Sequence, residues 1–141
     1  MSDQGAAETA EQQVLLAVDA IIDNFAHHRR NAYFAGFDPD ATFVFHTSPG
    51  RLESRAAYEQ EWDRWEREDG FRVLSCVSTA RRLQFVTDDI AIFTHDVQTR
   101  VAGAGGPTDQ RERETIVMRR GADGWLCVHE HLSGRDDPPA R

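Results

Sequence analysis

The chain has 141 residues, 40% of them hydrophobic, which is enough for one domain with a real core and too little for two. Its formal net charge of −8 excludes nucleic acid and anionic membrane as expected partners, since both call for a basic surface. All 16 basic residues other than histidine are arginine, so lysine Schiff-base chemistry and a phosphate-binding P-loop lysine are excluded as well.

Residues 1–9 are small and polar and read as a frayed, disordered start. From 10 to about 29, Val14, Leu15, Val18, Ile21, Ile22 and Phe25 recur at helical spacing. Acids mingle with that apolar set, so the stretch is no signal peptide, and a cytoplasmic location is expected. A short second helix is expected over 31–34. Asp38-Pro39-Asp40 reads as a turn, and the β-branched and aromatic run 42–46 as a first strand. Residues 51–53 form a possible short return strand. Ser54 is an expected N-cap for a helix reaching about 67, with Tyr58 and Trp62 four residues apart on one face.

The remainder reads as strands over 71–86, 90–101, 111–120 and 125–133, with a glycine-rich loop at 102–107 and a polar tail at 135–141. Helices first and a run of strands afterwards is the α+β pattern, with helices packed on one face of a curved, mostly antiparallel sheet. Cys76 and Cys127 lie far apart and are expected to be reduced.

Strict alternation sets His95, Arg113, Thr115, Val117, Cys127 and His129 on one sheet face. It sets Asp96, Glu114, Ile116, Met118, Glu130 and Leu132 on the other. Both faces are substantially apolar, whereas a sheet with one wet face alternates cleanly. Helices can cover one face, and a second copy of the chain is the expected cover for the other.

Asp96, Glu114 and Glu130 would then gather carboxyl groups beside apolar side chains. Their pKa values would rise, and one could act as an acid while another acts as a base. The alternative is a set of strand-end charges that are solvated or paired with arginine. Tyr58, Trp62 and Trp65 either wall an aromatic pocket or are plain core. His129 and His131 share a strand face and can bind a metal as neutral imidazoles, but such a site wants more ligands and only His95 is in evidence. Structural or interface histidines are therefore expected, with no metal and no cofactor.

The last hairpin is the most specific segment. Thr115, Asp123, Gly124, Trp125, Val128, His129, His131, Ser133 and Gly134 stand at spacings that resemble the closing strands of the calcium/calmodulin-dependent kinase II association domain. The chain thereby resembles SnoaL-like domains of the nuclear-transport-factor-2-like superfamily. That resemblance implies a cone-shaped domain spanning 10–134, with a pocket between helices and sheet. It implies that Asp96, Glu114, Ile116, Met118, Glu130 and Leu132 face that pocket, with Tyr58 nearby, and that His129 and His131 lie on the outer, subunit-facing side. The association domain's anion pocket would map to Tyr58, Asp96, Ile116 and Leu132; none is basic, so a small carboxylate is not the expected ligand. In ketosteroid isomerase relatives a general base lies near His46, and a histidine there can carry a proton.

The combined expectation is a SnoaL-like domain that binds a small, mostly apolar, neutral molecule as a homodimer. Conversion by cofactor-free acid/base catalysis (isomerase, dehydratase, cyclase or epoxide hydrolase type) would use Asp96, Glu130 and His46. A non-catalytic binding or assembly module is the competing reading.

Overall fold

A computed structural model describes residues 9–135. Apart from Thr9 and Arg135, the expected frayed start and polar tail lie outside the described residues. Two helices open the chain, α1 (Ala10–Ala26) and α2 (Arg30–Phe34). Thr9 caps α1 through a capping box, its hydroxyl accepting from Gln12 N–H while the Gln12 side chain accepts from Thr9 N–H. Strand β1 (Phe37–Phe45) follows, then helix α3 (Arg55–Asp69). The Ser54 hydroxyl accepts from Ala57 N–H at the start of α3, and Gly70 ends it in the left-handed region at φ 64°.

Four strands complete the chain, β2 (Arg72–Thr87), β3 (Ile90–Ala102), β4 (Thr108–Gly121) and β5 (Gly124–Gly134). They form one sheet in the order β1-β5-β4-β3-β2. Every pairing is antiparallel except that of β1 with β5. The α+β expectation holds: helices lie against one face of a curved, unclosed sheet. Two details differ from the sequence reading. The Asp38-Pro39-Asp40 segment belongs to β1, where the register shifts between Phe37 and Thr42. Residues 51–53 supply only a bridge from Leu52 to Phe43.

The face assignment needs a larger correction. His95 pairs with Glu114, and Asp96 with Arg113. Side chains of paired residues share a face, so the helix-side face of β3 carries Phe93, His95, Val97 and Thr99, and Asp96 turns outward. Alternation within β3 and within β4 was right, but the phase between the two strands was off by one. The link between them fixes that phase, and a single strand's pattern does not contain it.

A second phase change lies inside β5. Val117 pairs with His129 and Met118 with Cys127, which leaves Val128 as an extra residue. This bulge puts Trp125 and Cys127 on the same side as Glu130 and Leu132. Accordingly Trp125, Cys127 and Glu130 are all buried, while His131 is exposed on the outer face.

The core fills the space between the helices and this inner face. Val14, Val18 and Ile21 come from α1, Tyr58 and Trp62 from α3, and Phe43, Phe93, Ile116 and Met118 from the sheet. Its aromatic part is continuous: Tyr33, Phe34, Phe37, Phe43, Tyr58 and Trp62 contact one another ring to ring. His28 ties three elements together. Its Nδ1 accepts from Val73 N–H, its Nε2–H donates to Glu66, and its ring stacks on Trp62. An Nδ1 that accepts a backbone N–H carries no proton, so this imidazole is neutral.

Candidate functional site

One end of the core stays open. A cavity of about 450 Å³ lies between the helices and the inner sheet face. Its walls are largely apolar and aromatic: Ile21, Phe25, Phe45, Trp65, Phe71, Val97 and Leu132. The exposed Thr47, Asp69 and Ala104 also line it, and they mark the mouth. The buried Tyr33, Tyr58, His95 and Glu130 and the part-buried Glu114 line its deep end.

Strand pairing alone assembles the polar group. Glu112 and Glu114 are two apart on β4 and so share the inner face. His95 lies opposite Glu114, Val97 opposite Glu112, and Glu130 opposite Ile116. The Ser78 hydroxyl donates to His95 Nδ1 at 2.6 Å, and His95 Nε2–H donates to Glu114 Oε1 at 2.6 Å. The carboxyl groups of Glu114 and Glu130 lie close enough to shift each other's ionisation, and two carboxyl groups side by side can share a hydrogen bond only when one of them keeps its proton. On the other side of Glu114, His46 Nε2–H donates to Glu112 Oε2 at 2.6 Å. Deep in the aromatic wall the Tyr33 and Tyr58 hydroxyls meet at 3.0 Å.

The electrostatics follow from burial. Glu130 is 4% exposed, and its pKa stands well above the ordinary 4.5, first through desolvation and then through the neighbouring Glu114 charge. Glu114 is raised by burial too, while the hydrogen bond from Glu130 acts the other way. Burial raises Glu112, and the bond from His46 opposes that rise. His95 is pulled down to about 4, mainly by desolvation and then by the Arg81 guanidinium. The consistent arrangement at neutral pH is a protonated Glu130, a neutral His95 and a Glu114 carboxylate that accepts from both. An acid and a base thus lie side by side in an apolar chamber, as two carboxyl groups sharing one proton.

The thiol of Cys76, also in the lining, is pushed up to about 11 by burial and stays protonated. Cys76 and Cys127 are both free thiols. Among the described residues no group of three metal-ligating side chains is found. His129 is engaged by Thr42 at 2.8 Å on the outer face.

Of the residues expected from sequence, Glu114, Glu130, Tyr58, Trp65 and Leu132 line the cavity. Trp62 and Ile116 are buried beneath it as core, with 0% and 1% exposure. His46 does not line the cavity but holds Glu112, which does. Asp96 lies on the outer face, near Arg113 at 3.8 Å and Arg135 at 3.7 Å, so it is not one of the gathered carboxylates. His95 occupies the place expected of Asp96, for the phase reason given above. Glu112 was missed although its signal was present, because the alternation Arg111-Glu112-Arg113-Glu114 places both glutamates on one face. Tyr33 and Thr99 carried no such signal.

A family model described as "SnoaL-like domain" matches residues 14–136. Among solved structures, the calcium/calmodulin-dependent kinase II hub of S. rosetta is 24% identical, with 92% of this chain and 99% of that one covered at a TM-score of 0.72. A nuclear transport factor 2-like superfamily protein from Salmonella enterica is 15% identical, covering 95% and 96% at a TM-score of 0.76. A Catenulispora acidiphila protein in complex with S-DNPA is 16% identical, covering 88% and 92% at a TM-score of 0.72. At these identities the likeness is one of fold. No curated protein matches the chain.

Proposed function

The chain belongs to the SnoaL-like domain family, and on that premise we propose that it binds a small, mostly apolar molecule in the cavity between helices and sheet. Acid/base conversion without a cofactor is the chemistry this site is equipped for. Glu130 is the proton donor, Glu114 the acceptor, and His95 the group that orients Glu114. The observation that carries the reading is the buried carboxyl pair at the deep end of an apolar chamber of about 450 Å³. Such a volume lies within the range of small-molecule sites, about 300–1,000 Å³. A domain used only for assembly has no need to hold it open against the hydrophobic effect.

His46 takes a supporting part. It is 38% exposed while its partner Glu112 is 4% exposed, so the pair connects the cavity wall to solvent. It can exchange protons with water after the Glu114–Glu130 pair has acted.

Fluorescence titration with the neutral dye Nile red tests the binding half. The protein is expected to bind the dye, and Val97→Trp, which puts an indole into the cavity, is expected to weaken it at least about tenfold. Equal binding by a folded Val97→Trp variant would remove the cavity from consideration. For a ligand the protein turns over, Glu114→Gln is expected to lower the rate at least about tenfold. Unchanged turnover would leave the site as a binding pocket only.

We also propose a homodimer formed through the outer sheet face, with the cytoplasm as its location. Val44, Ile92 and Val117 lie on that face beside His129, and all are only half-buried in the single chain. A charge there would be desolvated on association. Val117→Glu is expected to shift the sedimentation coefficient to that of a monomer at micromolar concentration. A parent protein that already sediments as a monomer ends this proposal. No helix among the described residues is long and apolar enough to cross a membrane.

A further inference from the structure

Three carboxyl groups line the cavity's inner wall, and no arginine is among the lining residues. Glu112 receives a hydrogen bond from His46, and Glu114 receives one from His95. Glu130 has no such donor. Its Oε1 is buried, and no N–H or hydroxyl among the described residues reaches it. A buried acceptor without a donor costs about 1–3 kcal/mol and is rare in folded proteins. The shortage is one of donors and of positive charge.

Arg81 does not fill it. Its guanidinium bonds Asp19 and Ser78 and lies over the Phe93 ring at 5.1 Å, and it is not part of the lining. The rest of the chamber presents the faces and edges of Phe25, Phe71, Tyr58 and Trp65, with the rings of Trp65 and Phe71 5.6 Å apart. Aromatic faces carry partial negative charge and attract cations, most strongly where water is excluded.

We propose that the ligand of this cavity is a hydrophobic amine: a protonated nitrogen held by Glu130 and Glu114, on an apolar or aromatic body packed among Phe25, Trp65, Phe71 and Leu132. An ammonium group brings three N–H donors and one positive charge, which is what this wall lacks. An anion meets like charge and has no arginine to receive it. A neutral alcohol supplies one donor and leaves the Glu114 charge uncompensated in a low-dielectric space. The sequence reading pointed to a neutral ligand because none of Tyr58, Asp96, Ile116 and Leu132 is basic, which argues against an anion but does not by itself select a cation. With Glu112 rather than Asp96 as the third carboxyl group and no guanidinium in the lining, the balance shifts to a cation.

This inference rests on the ligand-binding function proposed above, and the two can fail separately. The test is calorimetric titration at pH 7 with tryptamine, tryptophol and indoleacetate, which share one ring system and differ in the charge of one end. Tryptamine is expected to bind at least about tenfold more tightly than tryptophol, with no detectable indoleacetate binding. The preference is expected to shrink to less than about threefold in Glu114→Gln/Glu130→Gln, which keeps the volume of the wall and removes its charge. Tryptophol binding as tightly as tryptamine overturns the amine and leaves the pocket function standing. A preference that persists in the double variant overturns it too. If none of the three binds while Nile red does, the amine is again wrong. If Nile red also fails, both the amine and the pocket function are wrong.

Discussion

Trp62→Ala is expected to lower the free energy of unfolding by about 3–5 kcal/mol. Trp62 is 0% exposed. Its ring packs edge-on against Phe71 at 5.0 Å and Phe34 at 5.5 Å, and it stacks on His28 at 5.0 Å. Aromatic pairs of this kind contribute beyond their buried area. Its Nε1–H also donates to Glu66 Oε2 at 2.8 Å, the same oxygen that receives His28 Nε2–H at 2.7 Å. Truncation therefore empties a large volume, strips the His28 ring of its stacking partner and removes a donor from a part-buried carboxylate. A domain of this size has a total stability of roughly 5–15 kcal/mol, so the variant should be partly unfolded near body temperature. Trp62→Phe is expected to cost much less, since it keeps most of the ring packing and loses the hydrogen bond. Urea unfolding midpoints with an unchanged m-value read both quantities. A loss below about 1 kcal/mol for Trp62→Ala would show that the aromatic cluster does not hold α3 to the core.

The second large effect is a change in how stability depends on pH, expected for Glu130→Gln. Glu130 has a folded pKa well above 4.5, because burial and the Glu114 charge oppose its ionisation. Between 4.5 and that folded value the native chain keeps a proton that the unfolded chain has lost. Stability from this group is then complete below 4.5 and falls as pH rises, by up to about 1.4 kcal/mol per pH unit. His95 has the opposite sign. Its pKa is lowered from 6.5 to about 4, so the unfolded chain binds the extra proton in that window. Stability from His95 is complete above 6.5 and is lost as pH falls toward 4. The two slopes oppose one another between about 4.5 and 6.5, and the parent's pH profile should be shallow there. Gln cannot ionise, and its amide still donates to Glu114. The variant should match the parent near pH 4, rise more steeply toward pH 6.5, and exceed the parent clearly at pH 8. Thermal midpoints at pH 4, 6 and 8 are sufficient. A variant less stable than the parent at pH 8 would mean that Glu130 is ionised in the folded protein, and the acid role assigned to it would fall.

Much of the architecture could be read from local patterns. Val14, Val18 and Ile21 recur with the period of a helix, and all three are buried. Ser54 was a legible cap because its hydroxyl competes for the first free N–H groups of α3. Glu114 was legible because it lies two and four residues along β4 from the buried Ile116 and Met118, whereas Glu130 was reached by an alternation that the β5 bulge interrupts. For Trp62 the sequence left pocket wall and plain core open, and its 0% exposure makes it core. Helical spacing identifies the inward side of α3 but not where along it the packing stops and the cavity begins.

The sequence by itself determined which segments become helix and strand, the order of helices before sheet, and the family to which the chain belongs. These depend on periodicities of 3.6 and 2 residues and on turn and cap chemistry, all of which act over a few neighbouring positions. Only the tertiary structure decided that His95 rather than Asp96 meets Glu114, since one step of register between β3 and β4 exchanges the faces of a whole strand. Only it decided that the Val128 bulge sends Trp125 and Cys127 inward with Glu130. The protonation of the site was decided there as well. A carboxyl group's pKa depends on the water and charge around it, and the neighbours that set Glu130, the carboxyl of Glu114 and the ring of His95, arrive from other strands.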